Sequence, residues 1–374
     1  MPTILLVANW PSDVGFAWWL MEGFWARIAT HFSKHGYRIL IAFPKVNAIP
    51  DVVAKAPIEV CEVDVEALTG QPLALMRFIR KERIQHVYFS DWPLWRPIYA
   101  VMRAAGVEGI IMHDHTPGAR PAARGLRRLL KQILLRGPWS ANLCIGATEY
   151  VRQRLIDNGC LPPARTRAAS NGIEPLPERP AQDARELFGL PDGVPIAIST
   201  GRLNPYKRID LMLQALRLVL DRGVPVHLLV VGDGPARNDL EALRDDLDLA
   251  HAVTFVGRRD DIRSFLGSCD IGFHAAVGEV GYSLSILEFM SAGLATLVPN
   301  EPAVCEATDH DRTGLTYTTG DVGAAASALE RAAADAALRS RLGAEARAEV
   351  QARYRLEHTH AALLDALTEV IPER

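Results

Sequence analysis

Short apolar runs alternate along this chain with longer stretches whose apolar positions recur every three or four residues. The short runs read as buried strands and the longer stretches as amphipathic helices. In the first half the strand-like runs are residues 4–8, 38–43, 58–63, 86–90, 109–113, 143–147 and 167–169. In the second half they are 196–200, 226–231, 253–256, 271–273, 295–298 and 314–317. Helical periodicity fills the intervals, most clearly over 16–34, 72–81 and 125–135. Strands regularly interleaved with helices predict an α/β fold with parallel sheets and crossover helices.

A chain of 374 residues exceeds the usual size of one hydrophobic core, so two domains are expected. The alternation breaks over 171–195, where Pro175, Pro177, Pro180, Pro191 and Gly193 crowd together. The predicted organisation is a Rossmann-like domain over 1–174, a linker over 175–194 and a second Rossmann-like domain over 195–355. A last amphipathic helix follows in 356–374.

Charge adds an asymmetry. The net charge is −3, yet residues 1–175 carry 21 Lys and Arg against 14 Asp and Glu, and the remainder carries 20 against 30. Part of the excess lies in one segment: Arg120, Arg124, Arg127, Arg128 and Lys131 share a helical face, and no acid occurs between 115 and 148. The leucines of that helix (Leu126, Leu129, Leu130, with Ile133 and Leu134) are expected to pack on the sheet. The basic face over 120–136 suits solvent, an acidic acceptor or peripheral contact with an anionic membrane. The slightly acidic whole, without a groove-reading motif, argues against nucleic acid. The cysteines Cys61, Cys144, Cys160, Cys269 and Cys305 show no metal or redox spacing and fit reduced thiols. No signal peptide and no membrane-spanning run is read, so the expected location is the cytoplasm, with any membrane contact peripheral.

The chemistry concentrates in the second half. Gly201-Arg202-Leu203-Asn204-Pro205-Tyr206-Lys207 leaves the predicted strand 196–200. It sets two cations beside a helix start, at the edge where open α/β sheets bind ligands. Such a pair suits a diphosphate: Arg202 binds with a planar fork and Lys207 as a point charge. Glu288, near the next helix start, suits a ribose diol, although Ser285-Ile286-Leu287-Glu288 also fits a capping box. Glu279, in the loop Gly278-Glu279-Val280-Gly281, is either a solvated acid or an acceptor of sugar hydroxyls. The backbone from Gly281 to Ser283 could bind phosphate. Gly232-Asp233-Gly234-Pro235 lacks the third glycine of a dinucleotide fingerprint, because Arg237 takes its place, and reads as a tight turn.

In the first half, His113-Asp114-His115 ends a strand. No third ligand at a suggestive spacing accompanies the histidines, so loop packing or sugar hydrogen bonding is preferred to metal. Asp13-Val14-Gly15 follows the first strand, where Gly15 would let backbone approach a phosphate and Asp13 would cap a helix or touch an acceptor. All seven tryptophans fall within the first 140 residues. Trp10, Trp92 and Trp95 each follow a strand, so they either stack on a ligand at the rim or pack in the core.

These motifs resemble those of the retaining nucleotide-sugar glycosyltransferases with two Rossmann-like domains facing across a cleft, the GT-B fold, in glycosyltransferase family 4. The resemblance rests on Gly201-Arg202-Leu203 with Lys207, on Val230 to Pro235, on Val253 to Gly257 and on the run Gly281 to Leu294 with Glu288. Glu306 and Thr313-Gly314-Leu315 extend it, so that it covers roughly 195–320. Glu279 and Glu288 are nine residues apart, where the family usually has eight, so Val280 stands as an insertion. The resemblance implies transfer of a sugar from a nucleoside diphosphate-sugar to a hydroxyl acceptor, be it a glycan, a glycolipid or a small metabolite. Anomeric configuration is kept and no metal or other cofactor is required. Arg202, Lys207, Glu279 and His113 would serve catalysis. Gly15, Arg202, Lys207, Gly281, Tyr282, Ser283, Leu284 and Glu288 would hold the donor. Asp13, Trp10, Trp92 and His115 would meet the acceptor. The last helix would cross back to the first domain. Two other readings fit the same scaffold: a sugar-nucleotide epimerase or phosphorylase, and a catalytically silent sugar-nucleotide-binding subunit.

Overall fold

A computed structural model of the chain describes residues 1–13 and 19–374. By contact clustering it divides into two compact units. One comprises Met1–Thr116, Arg120–Ser170 and Thr359–Arg374; the other comprises Pro117–Ala119 and Asn171–His358. Each unit is an α/β layer structure on its own parallel sheet.

All thirteen expected strands are present, most within a residue of the predicted bounds. The first unit holds β1 (Thr3–Val7), β2 (Arg38–Phe43), β3 (Glu59–Glu62), β4 (Ile84–Ser90), β5 (Gly109–Asp114), β6 (Leu143–Gly146) and β7 (Thr166–Ala168). They pair in the order β3-β2-β1-β4-β5-β6-β7, all parallel. The second unit holds β8 (Ile196–Thr200), β9 (His227–Val231), β10 (Val253–Gly257), β11 (Ile271–Phe273), β12 (Ala295–Pro299) and β13 (Leu315–Tyr317). Their order is β10-β9-β8-β11-β12-β13, again all parallel.

Continuous apolar strands follow from helices covering both sheet faces. Every residue of β1, β8 and β9 is buried. Along β8 the side chains alternate: Ile196 and Ile198 join Leu229, Phe289 and Met290 on one face, while Ala197 joins Leu228, Leu216 and Phe273 on the other. Residues 175–194 pack on the second unit, adding Leu176, Ala184 and Leu190 to its core.

The strand orders create a switch point in each sheet, between β1 and β4 and between β8 and β11. At these points neighbouring crossovers leave in opposite directions and open a crevice at the strands' carboxyl ends. In the second unit the turns after β8 and β9 lie against each other. Gly201 N–H donates to the Val231 carbonyl at 3.0 Å, and Leu203 N–H to the Asp233 carbonyl at 3.0 Å. Gly232 sits at φ 145°, and a Cβ there would lie 1.8 Å from the Gly201 carbonyl oxygen. A Cβ on Gly234 would lie 2.6 Å from the Leu203 oxygen. The glycines of Gly232-Asp233-Gly234-Pro235 thus serve backbone packing under the Arg202 turn.

One expectation fails outright. The helix Gly125–Leu134 buries none of its residues, and its leucines do not pack on the sheet. Leu126, Leu129, Leu130 and Ile133 are all exposed. Helical periodicity located the apolar face but could not say that no sheet surface lay beneath it.

Replacing Gly232 by Ala should destabilise the protein by ~3 kcal/mol or more, because a forbidden φ and a backbone clash act together. Gly320→Ala, at φ 77° with nothing within 4 Å of the added Cβ, should cost only about 1 kcal/mol. Urea denaturation of both variants checks the contrast. Equal losses would contradict the packing of the two turns.

Candidate functional site

The residues at the second sheet's switch point come from two strand ends. After β8, the chain runs through Gly201 and Arg202 into a short 3-10 turn, Pro205–Lys207, then through Arg208 in the left-handed region (φ 54°) into the helix Ile209–Asp221. Pro205 at the first position of the 3-10 turn suits its fixed φ. After β11 comes His274, whose N–H donates to the Leu297 carbonyl at 2.9 Å and whose carbonyl accepts from the Tyr317 hydroxyl at 2.7 Å. Arg202, Lys207 and His274 line one pocket, together with Ser199, Thr200 and Met212.

Glu279 closes onto this group. Lys207 Nζ donates to Glu279 Oε1 at 2.7 Å, and His274 Nε2 lies 3.6 Å from the same oxygen. Both members of the ion pair are about 15% exposed (16% and 15%), so solvent screens them little. Burial opposes ionisation of Glu279, but His274 and the Lys207 ammonium outweigh it and hold the carboxyl down at about 2. Burial also keeps the His274 imidazole neutral, against the pull of Glu279. Lys207 is therefore the formal positive charge facing an ionised, acceptor-only carboxylate. The Tyr206 ring lies 5.1 Å from Lys207 Nζ, a cation–π distance.

Glu288 is placed differently from the capping-box reading. The helix Leu284–Ala292 is capped by Ser283, without a side-chain capping bond, so Glu288 sits in its second turn. Ser283 Oγ and Ser285 Oγ instead bond each other at 2.5 Å. Burial raises the Glu288 carboxyl above its ordinary value, against the pull of Arg263, whose guanidinium lies 3.8 Å away. A half-buried carboxylate with one distant cation is poised to accept hydrogen bonds from a ligand.

The expected donor contacts before it divide. Gly281 N–H is already committed to the Ala303 carbonyl at 2.8 Å, so it is no phosphate donor. The Tyr282 side chain is buried, donates to the Asn171 carbonyl at 2.8 Å and packs edge-on against Tyr354. Its role is to fix the loop on the core. Ser283 and Leu284 stand at the helix start, where amides point outward along the axis.

In the first unit, His113 is fully buried. Its Nδ1 shares a 2.6 Å hydrogen bond with the Tyr88 hydroxyl, and its ring stacks on Phe24 with centroids 5.4 Å apart. Burial holds it well below the usual histidine range, so it is neutral. His113 Nε2 and both ring nitrogens of His115 have no hydrogen-bond partner among the described residues. His115 lies 4.0 Å from His113 between ring centroids. Asp114, between them in sequence, turns away to a buried pair with Arg154 at 3.2 Å and accepts from the Thr116 hydroxyl. Among the described residues the grouping with metal-compatible spacing is His31, His35 and Glu373, elsewhere in this unit.

Trp92 is corrected from an acceptor platform to a core residue. It is buried, stacks on Phe89 at 4.2 Å and donates from Nε1 to Asn9 Oδ1 at 2.6 Å. Trp95 is partly exposed and Trp10 is exposed. Asp13 is also exposed and accepts from the Asn47 side chain at 2.8 Å. Gly15 lies outside the described residues. Sequence reasoning missed His274, Asn9 and Arg154. The first two directly follow strands at switch points, a signal that could have found them. Arg154 lies on a helix and becomes visible only through its buried partner.

Comparisons with known proteins bear on the family likeness and on the fold. Residues 181–349 match the family of glycosyl transferases group 1. A D-inositol 3-phosphate glycosyltransferase of Stackebrandtia nassauensis is 28% identical over 240 residues, 61% of this chain and 54% of that protein. A GDP-mannose-dependent alpha-(1-6)-phosphatidylinositol monomannoside mannosyltransferase of Mycobacterium tuberculosis is 28% identical over 309 residues, 78% of each chain. In most such matches the chain spans about half of the curated relative's length. Among solved structures, Anabaena HepE in complex with UDP and glucose superposes with a TM-score of 0.73 at 16% identity, covering 99% of this chain and 100% of that one. The likeness establishes the fold, two Rossmann-like units of the GT-B class.

The Lys207–Glu279 pair carries a pH signature. A carboxyl depressed to about 2 from the ordinary 4.5 contributes stability that is fully present above pH 4.5 and lost as pH falls towards 2. Relative to Glu279→Gln, the wild type should be more stable by ~2–3 kcal/mol at neutral pH, and the difference should shrink across that window. Urea denaturation at stepped pH measures it. A difference independent of pH would rule out the ion pair.

Proposed function

We propose that this protein is a glycosyltransferase moving a sugar from a nucleoside diphosphate-sugar to a hydroxyl acceptor with retention of anomeric configuration. The observation that carries the reading is the grouping of Arg202 and Lys207 on the turn after β8, in one pocket with His274 and beside the Glu279 carboxylate. The family match over 181–349 covers these same residues.

The chemistry follows from charge. As the anomeric C–O bond breaks, negative charge grows on the diphosphate. Arg202 can hold it bidentately and Lys207 as a point charge, each interaction stronger in the transition state than with bound substrate. Two side-chain cations there supply the charge that a divalent metal would otherwise bring, which supports a metal-independent reaction. Glu279, ionised and acceptor-only, orients Lys207 and takes hydrogen bonds from hydroxyls of the donor sugar. Glu288 accepts the ribose diol, whose donors relieve the penalty that burial places on its ionised form. The acceptor attacks on the face that the diphosphate leaves, which keeps the anomeric configuration. The departing phosphate oxygen takes the acceptor's proton while the new C–O bond forms. His113 and His115, neutral and with unpartnered ring nitrogens, suit hydrogen bonding to sugar hydroxyls.

Arg202→Ala and Lys207→Ala should each lower kcat/KM by about 10²–10³-fold, mostly through kcat. Glu288→Ala should raise KM for the donor by about tenfold or more with a smaller change in kcat. The measurement is donor turnover with product analysis, after a thermal-shift screen of nucleoside diphosphates identifies the base. Near-wild-type turnover in all three folded variants would overturn the assignment.

A further inference from the structure

The helix Gly125–Leu134 exposes the face that an amphipathic helix ordinarily buries. Leu126 is 70% exposed, Leu129 53%, Leu130 52% and Ile133 54%. Their spacing (i, i+3, i+4, i+7) makes one continuous apolar ridge. Arg124, Arg127, Arg128 and Lys131 occupy the other side, Arg120 and Arg136 flank the ends, and no acid lies between residues 115 and 148.

The helix is held without its leucines. Ala123 N–H donates to the Asp157 carbonyl at 3.0 Å, and the Asn158 side-chain amide donates to the Pro121 carbonyl at 2.5 Å. Arg165 donates to the Leu135 carbonyl at 2.8 Å, and the Trp139 indole N–H donates to the Leu134 carbonyl. Polar ties at both ends fix the helix in place and leave its ridge facing water.

We propose that this helix docks the protein on the surface of an anionic lipid bilayer. The ridge enters the boundary between headgroups and acyl chains, and the arginines reach the lipid phosphates along their aliphatic stems. Ten residues, about 15 Å of helix, are too few to span, and no helix among the described residues is long and apolar enough to cross a membrane. Charge selects this occupant over a second copy of the chain. Pairing two such helices through their ridges would bring two acid-free cationic segments together, whereas a surface of lipid phosphates neutralises them.

The test is flotation of the full chain with vesicles of phosphatidylcholine alone and of phosphatidylcholine with phosphatidylglycerol, at low and high salt. The protein should float with the anionic vesicles and be released by salt. Arg127→Gln with Arg128→Gln should weaken that binding roughly 30-fold. Leu129→Gln with Leu130→Gln should weaken it about tenfold or more, with thermal unfolding little changed because more than half of each side chain already faces water. Equal binding to both vesicle types would overturn the proposal, as would no binding to either, or binding indifferent to the leucine substitutions. Self-association in solution that the leucine substitutions abolish would also overturn it and assign the ridge to a second copy.

Discussion

Gly232 has no side chain, and the turn after β8 depends on that. Its missing Cβ lets the Gly201 carbonyl pass where an alanine methyl carbon would sit, at 1.8 Å. Two backbone turns can then share hydrogen bonds, Gly201 with Val231 and Leu203 with Asp233. This contact sets the direction in which Arg202 leaves the sheet and where the 3-10 turn delivers Lys207. Side chains that leave a turn keep their positions only if the turn itself is rigid. Here the floor under the turn is main chain, which cannot change rotamer.

On that floor the electrostatics are arranged by unequal burial. Glu279 and Glu288 are both acids in half-buried settings, yet they are pushed in opposite directions. Glu279 has an ammonium at 2.7 Å and stays ionised; Glu288 has a guanidinium only at 3.8 Å, and burial wins. Two carboxyls with different acidities on one loop and helix suit two tasks, a fixed anion that orients a cation and an acceptor completed by a ligand. Glu279 meets Lys207 although nine positions separate it from Glu288.

The first unit handles polar groups differently. His113 and Asp114 are buried beside each other, but each is drawn off by a neighbour, His113 by Tyr88 and Asp114 by Arg154. What remains open are imidazole nitrogens on neutral rings. The amphipathic helix further along the same unit reverses the usual rule, being fastened at its ends by main-chain carbonyls while its apolar ridge meets water.

Much of this was legible in the sequence, for a physical reason. Strand positions follow from apolar runs covered on both faces, a local signal that survives any arrangement of the strands. The placement of Arg202 and Lys207 was legible because both lie on a strand-to-helix turn, a local feature of the chain. Tertiary structure decided what depended on partners distant in sequence. Lys207 meets Glu279 across 72 positions, and Trp92 meets Asn9 across 83. Whether Leu126 and Leu129 were covered depended on which surface lay beneath them. Gly281 and Tyr282 looked like ligand contacts until Ala303 and Asn171 claimed their hydrogen bonds. Periodicity and turn chemistry are encoded within a few residues, whereas burial, charge partners and the capture of a backbone amide are settled only when distant segments meet.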